Sequence, residues 1–127
     1  MNEKMDDQIE ALRQWILQEL DDAKALDILE LDIRALTQIA DWMVVASGTS
    51  TRHVLALAEK LREAGAKHGQ KPAGVEGDND GEWVLMDFGD VLVHLMLPAT
   101  REFYDLEGLW NERLGMKVSQ VREQVEG

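Results

Sequence analysis

The stretch Gly81–Tyr104, GEWVLMDFGDVLVHLMLPATREFY, decides how this chain folds. It reads as two adjacent strands, Glu82–Phe88 and Val91–Leu97, joined at Gly89-Asp90 and followed by a helix that Pro98 starts. A two-residue connection beginning with Gly suits a type II′ hairpin, because Gly accepts a positive φ at the first central position. Large apolar side chains occur at both parities: Trp83, Leu85, Val93 and Leu95 on one, Val84, Met86, Phe88 and Leu92 on the other. One face of a hairpin suffices for a core. Two apolar faces imply helices on both sides, or a partner on one.

On the N-terminal side, Ile9, Leu12, Ile16 and Leu20 form a helical stripe over residues 6–22, with Trp15 off its centre and Asp6 or Asp7 as cap. Ala25–Leu31 alternates Leu26, Ile28 and, less cleanly, Leu31, as a first strand does. Residues 33–40 suit a turn or a short helical piece. The nearly continuous apolar run Asp41–Ser47 fits a strand covered on both faces. A helix follows it with Val54, Leu57, Ala58 and Leu61 on one side, Thr49 or Ser50 as N-cap, and Gly65 or Gly69 as the stop. Lys71–Gly77 holds a brief edge strand after Pro72, and Gly77–Gly81 is a loop. Beyond the hairpin, Phe103, Leu106 and Trp110 continue a helix to about Gly115, and Val118, Val121 and Val125 suit a loose helix in the charged tail. The expectation is an α/β fold: a mixed β-sheet of about five strands flanked by helices, one domain over residues 1–127 with a charged C-terminal extension at 115–127.

A chain of 127 residues with 45% apolar content can bury a real core without staples. The absence of cysteine excludes a disulfide framework and a thiolate metal site. No run approaches the ~18 apolar residues of a membrane span. The acidic start MNEKMDDQIEAL lacks the basic and apolar regions of an export signal, so the expected compartment is the cytoplasm. With 25 acidic against 13 basic side chains the net charge is −12, and the Lys and Arg residues are dispersed. Little direct contact with nucleic acid is expected, since that needs clustered cations. A basic protein is the better partner, although acidity also serves plain solubility.

Catalytic constellations are thin. Glu76–Asp87 has the Gly and the final carboxylate of a calcium loop, but a strand pattern follows where a helix is required. Ser47–Ser50 lies between a strand and a helix, where backbone N–H groups can hold phosphate, yet it lacks the Gly and Lys spacing of a phosphate loop. A metal-dependent nucleotidyltransferase-like enzyme would use Ser50 with Asp87 and Asp90, and this is the rival reading. His53, His68 and His94 show no metal-ligand spacing, and His94 reads as a hydrogen-bonded, half-buried side chain. No metal, cofactor or catalytic residue is assigned. Binding fits better: Trp83, Met86 and Phe88 flank Asp87, with Tyr104 and Asp105 near the same end of the sheet, the mixture that interface centres and rims favour. For each aromatic taken singly, ordinary core packing is the more common role. A module that only dimerises through its hairpin is a third possibility.

The segments LDILELDIRALTQIADWMVVASGTSTRHVLALAEKL, GVEG and EWVLMDFGDVLVHLMLPATREFYDLEGLW resemble the ribosomal silencing factor family, also called Iojap-related proteins, over roughly Leu26–Trp110. The resemblance implies a homodimer-prone domain similar to nucleotidyltransferases in fold but without their activity. It implies binding to the large ribosomal subunit through ribosomal protein L-fourteen, a block on subunit joining, and repression of translation when nutrients are scarce. It places that interface on Trp83, Met86, Asp87 and Phe88, with Tyr104 and Asp105 beside them. Residues 115–127 extend past the recognisable pattern.

Overall fold

The computed structural model describes residues 3–106 and 108. The elements run α1 (Glu3–Asp22), β1 (Leu26–Asp32), β2 (Trp42–Ser47), α2 (Thr51–Lys67), β3 (Gly74–Glu76), β4 (Trp83–Asp87), β5 (Val91–Met96) and α3 (Pro98–Tyr104). Five strands make one sheet in the order β1-β2-β5-β4-β3, and only the β2–β5 pair is parallel. This is the expected mixed α/β sheet. The parallel pair is its centre, which explains the unbroken apolar run of β2: a strand with neighbours on both edges and cover on both faces has no solvated side.

The hairpin register sorts the apolar residues differently from their numerical parity. Val84 lies opposite Leu95 and Met86 opposite Val93, whereas Trp83 faces Met96 and Leu85 faces His94. An even number of residues between paired positions gives cross-strand partners opposite parity, so Val84 and Met86 share a face with Val91, Val93 and Leu95. Trp83 joins Leu92, His94 and Met96 on the other. The connection is the expected two-residue loop, closed by the Phe88 N–H donating to the Val91 carbonyl at 3.0 Å across Gly89-Asp90. Gly89 sits at φ 85, and the Asp90 N–H donates to the Phe88 carbonyl at 3.2 Å, a three-residue γ-turn. The Asp87 carboxylate supports it by accepting the Gly89 N–H at 2.8 Å.

Both helices α1 and α2 cover the Val84 face. Leu12, Ile16 and Leu20 from α1 meet Val54, Leu57, Ala58 and Leu61 from α2 over Val44, Val84, Met86, Val93 and Leu95. The stripes read from the sequence are these buried rows. Trp15 belongs to the same core: its indole N–H donates to Gln70 Oε1 at 2.7 Å, and its ring stacks on His68 and meets Phe88 edge-on. Helix α1 begins at Glu3, so Asp6 and Asp7 lie inside it and do not cap it. Ser50 does cap α2, accepting the His53 N–H at 3.1 Å. His53 then pins that helix to α1. Its Nδ1 accepts the Thr49 N–H at 2.9 Å, leaving the proton on Nε2 to donate to the Ala23 carbonyl at 2.9 Å. Arg13 fixes α1 to the sheet edge, holding the Glu30 carboxylate with two N–H groups at 2.8 and 2.6 Å while its guanidinium lies 3.5 Å over the Trp42 ring.

The opposite face carries a second cluster, with Leu29, Leu31, Met43, Val45 and Met96 beneath Ile33 and Ala40 of the β1–β2 connection and beside Leu106. Here β1 departs from the expected alternation. Asp27 adopts φ 48 and a bulge separates Leu26 from Leu29 in the pairing with β2. One extra residue keeps Leu26, Leu29 and Leu31 on one side and turns Ile28 to the other. The chain leaves α3 at Asp105, a left-handed residue at φ 47 that closes the helix with its N–H on the Arg101 carbonyl at 2.9 Å. The single helix expected from Pro98 to about Gly115 is therefore broken at Asp105, where the left-handed backbone ends it at Tyr104; its part beyond residue 108 and the helical tail lie outside the described residues.

Two glycines separate backbone strain from steric overlap. Gly89 is in open space at φ 85, so Gly89→Ala should cost about 1 kcal/mol in urea unfolding, the usual penalty of a left-handed alanine. Gly77 has a similar φ of 83, but a Cβ there would overlap the Trp83 carbonyl oxygen. Gly77→Ala should therefore destabilise by at least ~2 kcal/mol, with the excess over Gly89→Ala measuring the clash.

Candidate functional site

The register places Trp83, Leu85 and Asp87 on the face away from α1 and α2. Cross-strand neighbours Met96, His94 and Leu92 complete a two-strand strip there. The Trp83 indole is fixed from below: its Nε1–H donates to His94 Nδ1 at 2.9 Å. An indole can only donate, so that ring nitrogen must be the bare acceptor and the neutral imidazole carries its proton on Nε2. His94 is buried, 9% exposed, and burial alone lowers its pKa from 6.5 to about 4. It stays neutral at physiological pH and keeps the bond. The sequence anticipated a hydrogen-bonded, half-buried histidine. What it did not reveal is that the partner is Trp83.

Above the indole, α3 adds two more rings. Tyr104 lies 4.9 Å from Trp83, ring centre to ring centre, tilted by 48°, and Phe103 meets Tyr104 edge-on at 5.0 Å. Exposure climbs along this ladder from half-buried Trp83 to 55% for Tyr104 and 81% for Phe103. Exposed Glu102 and Asp105 flank the upper rings on the same helix, and half-buried Asp87 lies at the far end of the strip. The result is an ordered aromatic column that ends in solvent and is bordered by carboxylates, the composition that interface centres and rims favour.

Of the six residues proposed for binding, the structure brings together Trp83, Tyr104 and Asp105, with Asp87 further along the same face. Met86 is corrected by its burial, and Phe88 lies half-buried on the other face of the sheet. Met86 is 0% exposed among the α1 and α2 side chains, and Phe88 turns to that side against Trp15. Alternation along β4 makes this obligatory, since a face that displays Trp83 and Asp87 must hide Val84 and Met86. Phe103 was read only as part of the helical spacing. Its signal was the Phe-Tyr pair itself, because adjacent residues on a helix lie about 100° apart and a single core cannot take both.

The rival catalytic constellation is not assembled. Ser50 follows the end of β2, whereas Asp87 and Asp90 lie beside the start of β5. β2 and β5 run parallel, so the groups are separated by the length of a strand, roughly 17 Å. The side chains are also engaged elsewhere: Ser50 in the α2 cap and Asp87 in the hairpin turn. The supposed calcium loop joins two antiparallel strands, and its Asp80 accepts the Glu82 N–H at 3.1 Å as a turn residue. No described helix is long and apolar enough to cross a membrane.

Fold and surface together define a small mixed α/β domain with one aromatic sheet face directed outward. Its sequence matches the family described as "Ribosomal silencing factor during starvation" over residues 6–127. A ribosomal silencing factor of Chromobacterium violaceum is 47% identical over 107 residues, covering 81% of this chain and 84% of that protein. One from Haemophilus influenzae is 39% identical, covering 79% and 98%. A crystal structure from Chromobacterium violaceum superposes with a TM-score of 0.79 at 45% identity, covering 81% of this chain and 86% of that one. The chain belongs to the ribosomal silencing factor family, and the match extends past both ends of the motif-bearing segment.

His94 should make stability depend on pH. In the unfolded chain its imidazole takes up a proton near pH 6.5, and in the folded chain only near about 4. Stability from this group is whole above 6.5 and is lost as pH falls towards 4, at about 1.4 kcal/mol per unit and about 3 kcal/mol in all. His94→Asn, which retains an acceptor for the indole, should flatten that part of the profile in urea unfolding from pH 7 to 4. An unchanged slope would show that His94 is not its source.

Proposed function

We propose that this protein binds the large ribosomal subunit through ribosomal protein L-fourteen and, by occupying that surface, prevents the small subunit from joining and represses translation. The observation that carries the reading is the ladder Trp83–Tyr104–Phe103, an aromatic column that the fold orders but does not bury. Trp and Tyr are over-represented among residues that dominate binding energy, and an interface of about 800 Å² per partner is sufficient to centre on them. Family membership and the names of the relatives support the ribosomal setting. The mechanism needs no bond made or broken: one surface is covered that another particle requires. We place its action in the cytoplasm.

Charge sets the terms of the encounter. At −12 the protein is repelled by an RNA-rich particle at long range. At physiological salt that repulsion decays over about 8 Å, so a basic ribosomal protein presents the only favourable landing area. Asp87, Glu102 and Asp105 would meet its cations at the rim while the rings enter an apolar recess. Exposed rings also favour self-association through the same face, so homodimer and ribosome-bound forms would compete.

Trp83→Ala and Tyr104→Ala should each weaken cosedimentation with large subunits by at least ~2 kcal/mol, about thirtyfold in affinity. In subunit reassociation followed on sucrose gradients, the wild-type protein should hold subunits apart and both variants should not. A folded Trp83→Ala protein that still binds and blocks as well as wild type would refute the assignment. Met86→Leu, a change sealed beneath the helices, should leave binding intact.

A further inference from the structure

We propose that Ser47 and Arg101 form a latch that sets the position of α3, and thereby holds Tyr104 over Trp83; the inference rests on the ladder being the binding surface. Helix α3 is only seven residues long, and none of them is buried. No side chain caps its start, where Leu97 carries the cap position. A helix of about two turns with no core residue of its own has little intrinsic stability, so its place must be imposed by contacts. Two are evident. One is the Tyr104–Trp83 ring contact. The other is Arg101 Nη1, which donates to Ser47 Oγ at 3.1 Å.

Ser47 is suited to this task. It ends β2, pairs with Met96 at the end of β5, and is 1% exposed. The sequence made it the first residue of a possible phosphate-holding segment, but its hydroxyl faces the Arg101 guanidinium. A bond from a charged donor to a buried acceptor is stronger and more directional than one between neutral groups at the surface. Arg101 is also the hub of the helix backbone: its N–H bonds the Leu97 carbonyl and its carbonyl accepts the Asp105 N–H, both at 2.9 Å. Fixing its side chain fixes the turn from which Phe103 and Tyr104 project. Ser47 is thus a positioning residue that need not touch the partner.

The test uses the full-length protein and two readouts. In 15N-correlated NMR spectra the indole N–H of Trp83, assigned from its loss in Trp83→Phe, senses the ring current of Tyr104. Ser47→Ala should move that signal in the same direction as Tyr104→Ala does, while the Trp15 and Trp42 indole signals stay in place. In cosedimentation with large subunits, Ser47→Ala should weaken binding about tenfold. The triple variant Ser47→Ala/Phe103→Ala/Tyr104→Ala should bind no more weakly than Phe103→Ala/Tyr104→Ala, because the latch acts through the two rings that α3 carries. Should Ser47→Ala fail to fold, Arg101→Gln takes its place in both measurements. An unmoved Trp83 signal, or penalties that multiply in the triple variant, overturns the latch. Loss of the ladder assignment looks different: Trp83→Ala would then leave ribosome binding unchanged while the NMR arm still reports on Ser47.

Discussion

Everything on the outward face depends on the register of one hairpin. The γ-turn at Gly89 pairs Trp83 with Met96 and Leu85 with His94, and that pairing decides which side chains enter the helical core. A slip by one residue would put Trp83 and Asp87 beneath α1 and α2 and expel Val84 and Met86. The register is strongly held because β5 is fixed on its other edge by β2, along six consecutive parallel pairs. Sheet centre, core and candidate binding face are therefore one constraint seen from three sides.

Much of the architecture was legible because it follows from periodicity. The stripes of α1 and α2, the two-faced apolar run of β2 and the brief edge strand β3 are where their spacing placed them. The misreadings share a cause: insertions and turns that change phase. The Asp27 bulge re-sorted β1, and the hairpin moved Val93 and Leu95 to the face of Val84 and Met86 and Leu92 to that of Trp83; a patch drawn from Trp83 and Met86 together took residues from both faces of one strand. Alternation along a strand is local and easy to see. Alignment between strands is set by turn geometry, which no composition rule supplies. The same gap hid the Trp83–His94 bond, whose partners are eleven residues apart in sequence.

The site combines rigidity at its base with openness at its tip. His94 is buried in a nonpolar strip, which keeps it neutral and so keeps it an acceptor for the Trp83 indole. Were it charged, both ring nitrogens would be donors and the indole would lose its anchor. In the proposed complex, pre-ordering of the first ring would lower the conformational cost of binding, a saving that flexible surface aromatics do not offer. There the acidic surroundings would act on selection more than on strength, discouraging polyanions and leaving cationic surfaces as acceptable neighbours.

The bulge at Asp27 has an effect beyond phase. Strand β1 is an outer strand of seven residues, long enough to template unwanted pairing with another chain. Its first residues are kinked by the left-handed Asp27, and further along Glu30 is tied to Arg13 and Asp32 to Arg34. Distortion at one end and tethered charge at the other leave no long flat ribbon on which a stray strand can zip. Among the described residues the sheet thus ends at β1, and a protein that displays aromatic rings on one face is spared an adhesive border at that edge.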